Sequence, residues 1–147
     1  MSIDNSKSLL QLQVIWKDDD MFELRVMATN GRYSGTTEIY ELSESLVNFA
    51  ESLVDFPNDR EVLIHEAGQQ DSCGYFRMKF FCIDHSGHVG VEIYIEEKVS
   101  NQQRPQEKSK LSLEIIVQPS AIDNFQKELL QLANIEEGIA LLRGSND

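Results

Sequence analysis

Apolar and polar residues alternate along the first stretch of this chain. Over residues 9–16, Leu10, Leu12, Val14 and Trp16 share one face, and Leu9, Gln11, Gln13 and Ile15 share the other. The alternation resumes over 21–28, with Phe22, Leu24, Val26 and Ala28 set against Glu23, Arg25 and Met27. A period of two is the signature of a half-buried strand. The polar run Lys17-Asp18-Asp19-Asp20 between the two strands reads as a hairpin connection. Asn30-Gly31 is a turn signal, so a third strand is expected over 32–40 and the chain opens as an antiparallel meander.

The period then changes. Leu46, Val47, Phe49, Ala50, Leu53 and Val54 recur at helical spacing and predict an amphipathic helix, with Ser43 as its N-cap and Glu44 near the positive end of the dipole. The opposite face carries Glu44, Asn48, Glu51 and Asp55, and Pro57 is expected to end the helix. Strands are predicted over 61–66, 75–83, 88–98 and 111–118. Phe76, Met78, Phe80 and Cys82 face inward on the second of these, Val89, Val91, Ile93 and Ile95 on the third, and Leu113, Ile115 and Val117 on the fourth. Residues 100–109 hold no large apolar side chain and read as a flexible loop. Pro119-Ser120 opens a second long helix, with Ser120 as N-cap and a stripe of Ile122, Phe125, Leu129, Leu132 and Ala133. A last short helix is expected over 135–142, interrupted by Gly138.

Together these elements predict a single α+β domain over residues 1–147. Its expected form is a mostly antiparallel sheet of six to seven strands with two main helices packed on one face. The other face of that sheet is expected to expose Arg25, Glu38, Tyr40, Arg77, Lys79, Glu92, Tyr94, Glu96 and Glu114.

Charge sharpens the picture. The formal net charge is −12, and residues 1–73 hold 14 acids and 5 bases, a net of −9. From Glu38 to Asp71 nine acids face one base, Arg60. A field of one sign repels nucleic acid and anionic membrane and speeds encounter with basic partners. No apolar run approaches the ~20 residues that span a bilayer. The first residues lack the pattern of a secretory signal, and two cysteines, Cys73 and Cys82, fit a reducing cytoplasm.

No residue set carries a recognisable catalytic motif, so no enzyme activity, cofactor or metal is expected. Asp18-Asp19-Asp20 match no calcium loop, and His65, His85, His88, Cys73 and Cys82 lack zinc-ligand spacing. Cys73 beside His65 across neighbouring strands is the one nucleophile arrangement the sequence leaves open.

The order of local motifs resembles the WapI-type immunity proteins of bacterial polymorphic toxin systems. The resemblance rests on Gly31-Arg32-Tyr33-Ser34-Gly35 leading into Glu38-Ile39-Tyr40, and on the helix Leu46-Val47-x-Phe49-Ala50-x-x-Leu53. It continues through Ser86-Gly87-His88-Val89-Gly90-Val91 and Pro119-Ser120-Ala121-Ile122-Asp123-Asn124-Phe125. It implies a small cytoplasmic α+β protein that binds and neutralises a cognate toxin, often a nuclease with a basic active site. Charge points independently to a basic partner. The expected contact is Glu44, Asn48, Glu51, Asp55 and Asp59, with Asp18, Asp19 and Asp20 as a second patch, on a monomer or weak homodimer. The competing expectation is a small-ligand module or enzyme with a pocket between sheet and helices, lined by Tyr33, Tyr40, Tyr75, Trp16 or His65.

Overall fold

The computed structural model describes residues 7–57, 61–69, 73–84, 86–98 and 103–145. Eight strands and two helices follow one another as β1 (Leu9–Lys17), β2 (Phe22–Thr29), β3 (Ser34–Glu41), α1 (Ser43–Ser52), β4 (Val62–Gly68), β5 (Gly74–Cys82), β6 (Val89–Lys98), β7 (Lys108–Val117), α2 (Pro119–Ile135) and β8 (Ile139–Arg143). The class is α+β and the pairing is antiparallel throughout. The strands, however, form two sheets of four, ordered β3-β2-β1-β8 and β4-β5-β6-β7, rather than one sheet of six or seven.

The additional strand is β8. The segment expected to be a short helix instead pairs with β1, from Leu9↔Arg143 to Gln13↔Ile139. Glu136 ends α2 in the left-handed region (φ 55°), and Gly138 (φ 96°) turns the chain again. Beyond that point Ala140 and Leu142 are buried at a strand's period of two.

One apolar core unites the sheets and helices. Leu10, Leu12, Leu24 and Val26 of the first sheet join Met78, Phe80, Val91 and Ile93 of the second. Phe80 is the meeting point: its ring lies 5.8 Å from Phe49 of α1, 6.3 Å from Phe56 and 6.3 Å from Phe125 of α2. Burial of Phe56 also explains why α1 stops at Ser52, ahead of Pro57. Asp55 takes a left-handed conformation (φ 60°), and Phe56, 3% exposed, reaches the Phe80 ring. Val54, expected on the buried stripe, is left exposed.

Strand β3 lies across the second sheet, in contact with β4, β5 and β6. Beside the core residue Ile39, two of its inward positions, Thr37 and Glu41, are polar, and each has a partner. Thr37 donates a hydrogen bond to the Glu96 carbonyl (2.7 Å), and the Glu41 carboxylate meets the ring of His65. At Gly74 a Cβ would fall inside contact distance of the Glu38 carbonyl oxygen, so only glycine permits this approach. The helices are joined more simply. Ser43 is the first residue of α1 rather than its cap, and its hydroxyl donates to the Ala133 carbonyl near the end of α2 (2.6 Å). Gln118 precedes α2, whose first residue is Pro119, so Ser120 is not a cap either.

Candidate functional site

The expected partner-binding acids do not form one helix stripe. Glu44, Asn48 and Glu51 are exposed on α1, but Asp55 lies past its end and Asp59 falls outside the described residues. Asp18, Asp19 and Asp20 are exposed in the β1–β2 turn. Asp18 has a structural task there: its carboxylate accepts the backbone N–H of Asp20 (2.8 Å) and of Met21 (2.9 Å). Those bonds hold its pKa below the usual carboxylate value.

The topology gathers these acids in another way. Lys17 and Phe22 flank the turn, Phe22 pairs with Glu41, and Glu41 leads directly into α1. The turn and the first turn of α1 therefore leave the first sheet at the same end. The end of α2 arrives there too, because Lys17 Nζ sits 3.0 Å from Glu137 and the Val14 N–H bonds to the Gly138 carbonyl. Asp18–Asp20, Glu44, Glu136 and Glu137 thus mark one end of the molecule, where α2 also presents the negative end of its dipole. Glu136 and Glu137 are functional candidates that the sequence reading missed, since they were placed inside a helix rather than at its end.

Trp16 departs most from expectation. The β1–β2 register shifts between Val14 and Trp16, so that Trp16 stands opposite Glu23. This β-bulge moves Trp16 from the core face to the outer face of the first sheet, where it is 47% exposed. Its ring meets Tyr40 edge to face at 6.1 Å, and Tyr40 is itself exposed. Arg25 and Glu38 form an ion pair (2.9 Å) on the same face. A groove of about 640 Å³ runs from there towards the second sheet, lined by Glu23, Glu38, Tyr40, Cys73, Glu97 and Lys98 among others.

The residues expected on one exposed face occupy two. Arg25, Glu38 and Tyr40 are on the outer face of the first sheet; Arg77, Lys79, Glu92, Tyr94 and Glu114 are on that of the second. Glu96 shares the latter face but is buried. It accepts a hydrogen bond from the Tyr94 hydroxyl, and Lys108 Nζ lies 3.2 Å away. The Tyr94 bond is the main reason that Glu96 is held below its usual pKa and Tyr94 is pushed up to about 12. The Arg77 guanidinium lies over the Tyr94 ring at 5.5 Å and 3.3 Å from Glu92. The Tyr75 hydroxyl donates to Glu66 (2.5 Å).

The five residues considered for a ligand pocket do not converge. Tyr33 lines a separate groove of about 590 Å³ with Lys7, Arg32 and Arg143, at the other end of the first sheet. Tyr40 and Trp16 face outward, Tyr75 packs on Tyr94, and His65 is buried against Glu41. Cys73 and His65 are not neighbours either. His65 pairs with Met78, five residues along β5 from Cys73, or about 16 Å at strand spacing. Among the described residues no three His, Cys, Asp or Glu side chains group to hold a metal ion, and no helix is long and apolar enough to cross a membrane. His85 lies outside the described residues; His88 is exposed and bonds to Asp84 (2.9 Å).

Comparison with protein-family models, with curated proteins and with solved structures found no match to this chain.

Proposed function

We propose that this chain is an immunity-type inhibitor, which binds and neutralises a cognate basic toxin of the nuclease class through its acidic surface. The observation that carries this reading is the gathering of Asp18–Asp20, Glu44, Glu136 and Glu137 at one end of the first sheet, in a chain of net charge −12. A nuclease must present Lys and Arg to phosphate, and a clustered set of carboxylates is complementary to that surface. Such a surface raises the association rate and makes it fall with salt. In this reading Glu44, Asn48 and Glu51 extend the contact along α1, and the protein acts in the cytoplasm as a monomer or weak homodimer, without cofactor or catalysis.

A small-ligand reading has one observation in its favour, the groove where Lys7, Arg32 and Arg143 meet, which would suit an anion.

The test is capture from a lysate of the source organism with tagged protein, at low salt and at about 0.5 M salt, where exposed charges are screened. The inhibitor reading expects one basic protein, retained at low salt and depleted at high salt. A bound anionic metabolite with no protein partner would instead favour the small-ligand reading.

A further inference from the structure

The β-bulge near the end of β1 turns Trp16 away from the core. Without it, strict alternation would carry Trp16 inward behind Leu10, Leu12 and Val14; with it, the chain exposes an indole beside the exposed ring of Tyr40. Leaving so large an apolar side chain 47% exposed forgoes part of the free energy that its burial would supply. Bulges of this kind re-aim side chains, and Trp and Tyr are the residues that most often anchor protein interfaces.

We infer that the docking centre for a basic partner is this outer face of the first sheet, with Trp16 and Tyr40 as its apolar anchor and the adjoining groove as the receptor for a Lys or Arg side chain. The inference rests on the inhibitor reading and deepens it. It moves the centre of the contact from the end of the first sheet to its outer face, and it leaves the acids at that end as a rim.

Charge selects the occupant. Glu23, Glu38 and Glu97 line the groove against Lys98, and Glu38 also holds Arg25. The rim adds Asp18, Asp19 and Asp20, then Glu136 and Glu137 against Lys17. Face and rim thus hold eight acids and three bases. A second copy of a chain with net charge −12 would bring like-charged rims together, so self-association on this face is opposed. A partner that presents Arg or Lys gains ion pairs at the rim and cation–π contact with the exposed rings.

Trp16 is the sole tryptophan of the chain, so its fluorescence reports on this site alone. Octa-arginine titrated at low ionic strength, with calorimetry in parallel, tests the inference. The expected result is a saturable change in Trp16 emission. Tyr40→Ala should weaken binding about tenfold, as loss of an interface anchor does. Glu114→Gln, on the outer face of the second sheet, should change it less than about twofold, because that face lies outside the contact. If octa-arginine binds by calorimetry while Trp16 emission and the Tyr40→Ala affinity stay unchanged, the docking centre is elsewhere and the attraction to basic partners stands. If it gives neither heat nor an emission change, the inference and the inhibitor reading both fail. Tyr40 is exposed, so circular dichroism of Tyr40→Ala should match the parent, and the emission change needs no variant.

Discussion

Glu41 Oε2 lies 2.7 Å from His65 Nε2, and both side chains are 6% exposed. One residue closes the first sheet and the other belongs to the second, so this contact joins the two sheets inside the core. Glu41 Oε1 also accepts the Leu42 N–H (3.0 Å), and the His65 ring packs on Phe49 at 5.0 Å. Replacing His65 by Leu leaves the carboxylate buried with the Leu42 N–H alone, and the expected cost is about 3 kcal/mol. The double variant Glu41→Leu/His65→Leu should recover most of that loss, because no charge is then left uncompensated. Urea denaturation of the two single variants and the double variant checks this. Equal stability of His65→Leu and the parent would mean that the pair contributes nothing to joining the sheets.

Gly74 supports a second prediction. A methyl group there meets the Glu38 carbonyl and Thr37 Oγ1, both parts of β3. Gly74→Ala must separate β5 from β3 and should cost about 1–3 kcal/mol, the usual penalty of overpacking. Gly138 offers the contrast, since a Cβ there meets nothing within 4 Å and only its φ of 96° opposes substitution. Thermal melts should therefore place Gly74→Ala below Gly138→Ala.

The Tyr94–Glu96 pair makes stability depend on alkaline pH. The hydroxyl of Tyr94 is held by the Glu96 carboxylate, and its pKa is raised to about 12 from the ordinary phenol value of about 10. A raised folded-state pKa means that the contribution is complete below the unfolded value and is lost as pH climbs towards the folded one. Stability should therefore hold up to about pH 10 and decline between about 10 and 12. Tyrosinate absorbance should show a late component that shrinks in Tyr94→Phe, leaving the part that belongs to Tyr75, which burial and its bond to Glu66 also raise.

Asp18 and Asp19 are adjacent acids with different expected behaviour. Asp18 accepts two backbone N–H groups and shapes the turn, whereas Asp19 is exposed beside it. Asp18→Ala should lower the melting temperature. Asp19→Lys should leave melting unchanged and slow association with a basic partner, which melting curves and stopped-flow mixing separate.

Much of this fold is legible in the sequence because its periods are local. Leu10 and Leu12, Phe22 to Ala28 and Val89 to Ile95 alternate without interruption, and the stripes Leu46–Phe49–Ala50–Leu53 and Ile122–Phe125–Leu129 repeat at helical spacing. The division into two sheets is not local: β8 pairs with β1 from the opposite end of the chain. Five residues after a glycine carry little signal of their own, and only the partner strand decides their form. The β-bulge is likewise set by pairing, which is why Trp16 reads as core and lies outside. The Glu41–His65 contact was partly within reach, since both residues fall at inward positions of alternating strands; what the sequence lacks is the packing of β3 on β4. Of the proposed interaction surface, the acids are visible as charge, but their assembly at one sheet end depends on where α2 stops.

In the proposed function, attraction between this acidic surface and a basic partner governs recognition. The most direct measurement is the association rate constant with the captured partner as a function of ionic strength, for the parent and for Asp19→Lys/Asp20→Lys/Glu137→Lys. The parent's rate should fall steeply as salt rises, and the variant should associate more slowly with a flatter dependence. Identical rates and slopes for the two proteins would contradict it.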